Sequence, residues 1–121
     1  IESRGFVFAS AVSYLLKKPF IMLRKKNKLP AEVHSIDFKL EYGTATIEIH
    51  RDAVNKNDNV LIVDDLIATG GTALASIELI HKLDAKVSGC TFIIDLPELG
   101  GRKKIEDKGI EVQSLCDFEG H

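Results

Sequence analysis

The chain has 121 residues, of which 45% are hydrophobic and 28% charged, a balance that is ordinary for a soluble globular protein. Its formal net charge of −2 creates no overall field that would attract nucleic acid or an anionic membrane, so binding through net charge is excluded. No apolar run approaches the roughly 20 residues of a membrane-spanning helix, and the first residues show no signal-peptide pattern. We therefore expect a single soluble, cytoplasmic domain that holds any anion at a local site.

The N-terminal segment predicts a helix over residues 3–18, because apolar residues recur there at helical spacing and Pro19 follows as a stop signal. The chain begins without Met at what resembles a strand-to-helix junction. We therefore expect a parallel strand to precede Ile1 and N-terminal sequence to be missing. Residues 20–23 are a short apolar run that predicts a buried strand, and a basic segment over 24–30 follows.

Two alternating segments on either side of Gly43 predict an antiparallel ribbon that is half-exposed and joined by a tight turn. Charged residues alternate with apolar ones in the first segment. The residues expected on the apolar face are Ile36, Phe38, Leu40, Tyr42, Ala45, Ile47 and Ile49.

The C-terminal part alternates strands and helices. Residues 60–63 are entirely apolar, as in parallel strands that are covered on both faces. A helix is predicted over 72–83, a second buried strand over 87–94, and, after a loop over 96–101 and a helical turn, a last strand over 110–115. This order predicts an α/β fold, with a parallel sheet flanked by helices and an antiparallel β-ribbon beside it.

The most informative segment is VLIVDDLIATGGT, residues 60–72. Its apolar strand ends in two carboxylates, Asp64 and Asp65, and a short glycine-containing loop then opens into a helix. Ligands of open α/β sheets bind outside the carboxyl ends of the strands, where this loop would lie. Gly70 and Gly71 allow the backbone to curl around an anion, and the first amides of a helix have no intrahelical partner. The segment therefore predicts a phosphate-binding loop.

The polar side chains of this segment refine the prediction. The Thr69 and Thr72 hydroxyls can donate hydrogen bonds to a phosphate, although Thr72 could equally cap the helix. The loop contains no Lys, so it is not a P-loop. Carboxylates accept hydrogen bonds from vicinal hydroxyls and can help to hold Mg²⁺, so the combination describes a ribose 5-phosphate site. A plain strand–helix junction with capping residues would give the same pattern, and the residues alone leave that alternative open.

Residues 60–72 resemble the signature loop of the type I phosphoribosyltransferases, and DDLIATGGT resembles the adenine branch of that family in particular. Other segments agree in the same order: ESRGF at 2–6, Arg24-Lys25 with KLP at 28–30, and LEYG at 40–43. The resemblance covers nearly the whole chain. It implies the type I phosphoribosyltransferase fold, in which the ribbon is a flexible flap. It also implies an N-terminal hood that supplies much of the adenine contact and is absent from this sequence.

The resemblance implies roles for the matching residues. The ribose 5-phosphate would be held by Ala68, Thr69, Gly70, Gly71 and Thr72. The ribose hydroxyls would face Asp64 and Asp65. The leaving diphosphate would lie beside Ser3, Arg4, Arg24, Lys25 and Lys28. Glu41 is the candidate for proton handling at the purine, and Tyr42 would pack over the closed site. The residues expected to be catalytic are Glu41, Arg4 and Asp65.

The implied reaction is transfer of a phosphoribosyl group from phosphoribosyl diphosphate to adenine, giving AMP and pyrophosphate. The resemblance also implies Mg²⁺, held mainly by the substrate and through water by Asp64 or Asp65, and a homodimer. One alternative is an enzyme for another purine base. A second is a phosphoribosyl-diphosphate-sensing regulator, against which the flap motif at Glu41 argues. A third is a phospho-acceptor receiver domain, whose acceptor pattern Asp95 does not complete.

Overall fold

The structure is a computed structural model that describes residues 1–40 and 42–119. Its elements in chain order are α1 (Gly5–Leu16), β1 (Arg24–Lys25), β2 (Val33–Lys39), β3 (Thr44–His50), β4 (Asn59–Ile67), α2 (Gly71–Lys82), β5 (Lys86–Asp95), α3 (Gly101–Glu106) and β6 (Val112–Asp117). One turn of 3-10 helix, Pro97–Leu99, lies between β5 and α3. Within the described ranges no helix combines the length and apolar character that crossing a membrane requires.

The strands form two sheets. β4, β5 and β6 are parallel and adjacent in that order, whereas β3 pairs in antiparallel fashion with β2 on one side and with the short β1 on the other. Ile67 pairs with Asp95, and Asp95 pairs with Asp117, so the carboxyl ends of the three parallel strands meet at one edge. The expected parallel sheet with an antiparallel ribbon is confirmed.

Helix α2 joins the two sheets, because it contacts β2 and β3 of the ribbon as well as β4 and β5. Ile77 and Leu79 of α2 are almost fully buried. They belong to one apolar cluster with Ile49 of the ribbon and Ile62 and Phe92 of the parallel sheet. The ribbon therefore shares the hydrophobic core of the chain and is not a separate appendage.

Two predictions about strands are wrong. Residues 20–23 form no strand, because the Leu23 carbonyl accepts a hydrogen bond from the Glu2 N–H at 2.9 Å, and ladder pairing begins only at Arg24. The strand predicted to end at Val63 continues to Ile67, since the ladder with β5 persists through this stretch. The acidic pair thus lies within β4, ahead of the loop.

The apolar face predicted for the ribbon is correct at its base and wrong at its tip. Ile36 and Phe38 pack against the core, but Leu40 is 47% exposed and Tyr42 is 87% exposed. The reason is that β2 ends at Lys39 and the chain then turns, with the Leu40 N–H donating to the Gly43 carbonyl at 3.0 Å.

Candidate active site

A cavity of about 290 Å³ lies where the N-terminal turn, the basic segment and the end of β4 meet. Its lining residues are Glu2, Ser3, Arg4, Lys25, Asp64, Asp65, Leu66 and Thr72. Two cations, three carboxylates and two hydroxyls therefore surround one small space. This lining suits a ligand that carries both phosphate and hydroxyl groups.

The two adjacent aspartates have opposite pKa shifts. Burial raises the pKa of Asp64 to about 6, although its Oδ1 accepts a hydrogen bond from the Asp65 N–H at 2.8 Å. Burial would also raise the pKa of Asp65, but the hydrogen bonds with Arg4 and Asp64 and the positive charge of Arg4 together outweigh burial, and the pKa of Asp65 is lowered. Asp65 is therefore ionised well below neutral pH, whereas Asp64 becomes an acceptor-only group as the pH rises above about 6.

Two largely buried glutamates hold the basic segment. Glu2 Oε1 accepts hydrogen bonds from Arg24 Nε at 2.9 Å and from the Lys25 N–H at 3.1 Å. Burial acts to raise the pKa of Glu2, but these two donors reverse the effect and the pKa is lowered. Glu48 Oε1 accepts the Asn27 N–H at 2.9 Å, and Asn27 has φ of 65°, a left-handed conformation that Asn tolerates. The carboxylates of Glu2 and Glu48 thus fix the path of the basic segment through hydrogen bonds.

Arg24 and Lys25 face different surroundings. Arg24 donates to Glu2, and its guanidinium carbon lies 5.8 Å from the centre of the Phe6 ring. Neither Arg24 nor Lys28 is among the described residues that line the cavity, whereas Lys25 is. A diphosphate contact by Arg24 or Lys28 stays a prediction, and Lys25 is the cation of this segment that the structure places at the site.

The loop between β4 and α2 consists of Ala68, Thr69 and Gly70. Gly70 has φ of 88°, a conformation that residues with a side chain rarely adopt. Intrahelical bonding begins with the Leu74 N–H, which donates to the Gly70 carbonyl at 2.8 Å, so the amides of the preceding turn have no intrahelical acceptor. These amides and the helix dipole favour a phosphate at the start of α2.

Helix capping does not explain why Thr69 and Thr72 are present near the start of α2. Gly70 occupies the N-cap position of α2, and no side chain in the described part of the protein caps it. Thr72 lies inside the helix and lines the cavity. The alternative role of Thr72 as the helix cap is therefore wrong, and a contact between its hydroxyl and a ligand stays a prediction.

The cavity brings together six of the residues predicted for the site. They are Ser3, Arg4, Lys25, Asp64, Asp65 and Thr72. Ala68, Thr69 and Gly70 form the loop that precedes Thr72, and Gly71 is the first residue of α2. Tyr42 is at the exposed tip of the ribbon, where it contributes nothing to the lining, and Glu41 lies outside the described residues.

Sequence reasoning assigned no role to two lining residues, Glu2 and Leu66. Glu2 carried a usable signal, since an acid directly before Ser3-Arg4 in a chain with a basic segment is a natural partner for one of its cations. Leu66 lies inside an apolar strand, and nothing in its neighbourhood distinguishes it from a core residue.

A larger cavity, of about 560 Å³, lies between α1 and the first half of β4. Its lining is mainly apolar and includes Val12, Leu16, Leu61 and Val63. The charged side chains of its lining are Lys18 and Asp58, and most of its surface is apolar, so a phosphorylated sugar would lose hydration there with few polar partners. The smaller polar cavity, which both Arg4 and Lys25 line, is therefore the better candidate site.

Among the residues that the structure describes, no group of three or more His, Cys, Asp and Glu side chains converges on one point. Mg²⁺ is commonly held by one or two carboxylates together with substrate phosphates and water. Asp64 and Asp65 fit that pattern. They do not form a metal site by themselves, but they suit an ion that arrives with a phosphorylated ligand.

Comparisons with known proteins agree with this geometry. The sequence model of the phosphoribosyl transferase domain matches residues 1–119. Together with the parallel sheet and the antiparallel ribbon, this match defines the class of protein: the chain belongs to the phosphoribosyltransferase family.

Its relatives specify a branch of the family. An adenine phosphoribosyltransferase of Pelagibacter ubique is 65% identical over all 121 residues, which span 69% of that protein. The crystal structure of the adenine phosphoribosyltransferase of Thermoanaerobacter pseudethanolicus has a TM-score of 0.91 and 46% identity, covering 97% of this chain and 67% of that one. The Saccharomyces cerevisiae structure, complexed with adenine and an imino-altritol 1,6-bisphosphate, has a TM-score of 0.88 and 39% identity, covering 94% and 63%. Within the family, the chain belongs with the adenine phosphoribosyltransferases.

Proposed function

We propose that the chain transfers the 5-phosphoribosyl group of phosphoribosyl diphosphate to adenine, forming AMP and pyrophosphate in purine salvage. The observation that carries the proposal is the cavity in which Arg4 and Lys25 meet Asp64 and Asp65 beside Thr72, in the first turn of α2. Phosphoribosyl diphosphate carries a phosphate at one end of its sugar and a diphosphate at the other. The loop amides suit the phosphate, the carboxylates suit the sugar hydroxyls, and the cations suit the diphosphate.

The sugar phosphate is positioned by the loop and by β4. The amides at the start of α2 and the Thr72 hydroxyl would hold the 5-phosphate, while Asp64 and Asp65 would accept hydrogen bonds from the ribose hydroxyls. Asp65 is itself held by Arg4, so its orientation is fixed before the ligand arrives. A fixed sugar places its anomeric carbon at a constant distance from the incoming base, which lowers the entropic cost of reaction.

The leaving group departs toward positive charge. When the carbon–oxygen bond to diphosphate breaks and the bond to the purine nitrogen forms, negative charge develops on the diphosphate, next to Arg4 and Lys25. Mg²⁺ bound with the substrate would supply further positive charge there. Glu41 remains our candidate for handling the proton that the purine releases.

The ribbon is proposed as a lid. Its base is anchored in the core by Ile47 and Ile49, while Leu40 and Tyr42 at its tip are exposed and have apolar surface to cover a ligand. Covering the site would exclude water, which would otherwise attack the ribosyl centre.

A homodimer and a cytoplasmic location are also proposed. Helix α1 exposes Val7, Tyr14 and Leu15 at 68%, 83% and 76%, an apolar stripe that a second copy could cover. Cys90 and Cys116 are free, as is usual in a reducing compartment. Light scattering on a size-exclusion column would measure the mass, and a monomer at micromolar concentration would contradict the dimer.

The decisive experiment is an assay of AMP formation from labelled adenine and phosphoribosyl diphosphate, with hypoxanthine and guanine as competing bases. We expect Asp65→Asn to lower kcat/KM by about 10²-fold, and Asp52→Asn, an exposed aspartate away from the cavity, to leave it unchanged. Donor binding without AMP formation would instead favour the sensing regulator, and preference for hypoxanthine or guanine would favour an enzyme for another base.

A further inference from the structure

We propose that α3 packs against the phosphate-binding loop on the side opposite to the bound phosphate. Gly101 and Lys104 of this helix are then positioning residues for the sugar phosphate. The inference rests on the proposed function, because it concerns the loop that would hold the 5-phosphate. It adds two residues from a helix that follows the loop by about 30 positions.

Gly101 is a glycine for steric reasons. It lies inside α3, where its backbone is helical and any residue could adopt it. A Cβ atom at this position, however, would lie 2.5 Å from the Ala68 carbonyl oxygen and 2.7 Å from the Gly70 nitrogen. Both neighbours are backbone atoms of the loop, so a side chain at Gly101 would displace the loop itself.

Donors from α3 also set the direction of the loop peptides. The Gly101 N–H donates to the Ala68 carbonyl at 3.0 Å, and Lys104 Nζ donates to the Thr69 carbonyl at 3.3 Å. In a trans peptide the C=O and N–H groups point in opposite directions. Two carbonyls held toward α3 therefore turn the next two amides, those of Thr69 and Gly70, away from α3 and leave them available to an anion.

Helix α3 is itself firmly placed. Arg102 Nη2 donates to the Val112 carbonyl at 2.9 Å, and its Nη1 donates to Ser114 Oγ at 3.3 Å. The same guanidinium lies 3.7 Å from the carboxylate of Asp95, a buried residue at the end of β5. The loop thus rests on an element that is tied to both neighbouring strands, and its geometry does not depend on the ligand alone.

The test compares matched pairs of variants of the full chain, with the dissociation constant for ribose 5-phosphate measured by calorimetry. We expect Gly101→Ala to weaken binding about tenfold or more while the KM for adenine stays within about twofold. The control is Gly89→Ala, because the nearest atom to a Cβ there is 3.4 Å away, and we expect it to bind as the parent does. Circular dichroism reports whether each variant is folded.

The second pair removes one positive charge from the same helix. Lys104→Gln should weaken ribose 5-phosphate binding about threefold, whereas Lys103→Gln, which loses an exposed ion pair with Asp107, should not. This pair decides the question if Gly101→Ala does not fold. Equal affinities for Lys104→Gln and Lys103→Gln, or parental affinity in folded Gly101→Ala, would overturn the inference.

The same data separate this inference from the proposed function. If the parent binds ribose 5-phosphate but forms no AMP, and the α3 variants bind more weakly, the reaction is wrong and the inference holds. If the parent forms AMP and the variants bind as it does, the inference is wrong and the reaction stands. A parent that neither binds ribose 5-phosphate nor forms AMP would refute both.

Discussion

Replacing Asp64 by Asn should change how the stability of the protein depends on pH. Burial raises the pKa of Asp64 from an ordinary 3.8 to about 6, so the native chain binds this proton more tightly than the unfolded chain does. The resulting stabilisation is complete below pH 3.8 and is lost as the pH rises through about 6. Asn cannot ionise, so the variant escapes this loss and should gain stability relative to the parent as the pH rises.

The size of the effect follows from the shift. A displacement of about two pKa units corresponds to about 3 kcal/mol. Asp64 is half-buried at an open cavity, so solvent screening reduces the expected difference to about 1–2 kcal/mol. The Asn side chain keeps an oxygen that can accept the Asp65 N–H, so the hydrogen bond itself need not be lost.

Urea unfolding followed by circular dichroism, at intervals between about pH 4 and pH 8, would measure the free energy of unfolding of both proteins. The difference between Asp64→Asn and the parent should grow by about 1–2 kcal/mol across this range, with most of the change near pH 6. Asp52→Asn, at an exposed position, controls for loss of one charge. A difference that stays constant with pH would refute the assignment of a raised pKa to Asp64.

Three further predictions concern the surroundings of the site. Glu2→Gln replaces the charged acceptor of the Arg24 and Lys25 hydrogen bonds with a neutral one. The KM for phosphoribosyl diphosphate should then rise about 3–10-fold in steady-state assays. An unchanged KM would contradict the idea that Glu2 positions the basic segment. Gly5→Ala places a Cβ 2.8 Å from Asp64 Oδ1, so α1 must move, and urea titration should show a loss of about 1–3 kcal/mol; parental stability would be the contrary result. Chelation of Mg²⁺ by EDTA should abolish AMP formation, because the ion is expected to bind together with the diphosphate. The dissociation constant for ribose 5-phosphate, measured by calorimetry, should change by less than about twofold. Equal loss of both would indicate a metal site of the protein itself.

The parts of the fold that sequence predicts well are those specified by local pattern. The apolar run at 60–63, the helix after Gly70 and the buried strand around Phe92 are each encoded within a dozen residues. The predicted phosphate-binding loop belongs with them, because the acidic pair, the glycines and the start of the helix are contiguous in the sequence. Local pattern was therefore sufficient to locate half of the candidate site.

The remaining features depend on contacts between distant segments. In the sequence Glu48 looks like an ordinary strand residue. Its burial is explained only by the basic segment, whose Asn27 N–H donates a hydrogen bond to the Glu48 carboxylate. The glycine at 101 looks like part of a turn, although its constraint comes from Ala68. Residues 20–23 have the composition of a strand, but Glu2 takes the Leu23 carbonyl. Such outcomes are set by tertiary packing, which residue periodicity does not encode.

The shared core limits how the ribbon can move. Ile47 is 3% exposed and Ile49 is fully buried, so lifting the ribbon away at its base would return two large side chains to water at a cost of about 3–6 kcal/mol. Fewer than about one molecule in a hundred would be in that state at equilibrium. If the ribbon acts as the lid proposed above, its base therefore stays in place while the site opens and closes, and an engineer who wants faster exchange of ligands should leave both isoleucines intact.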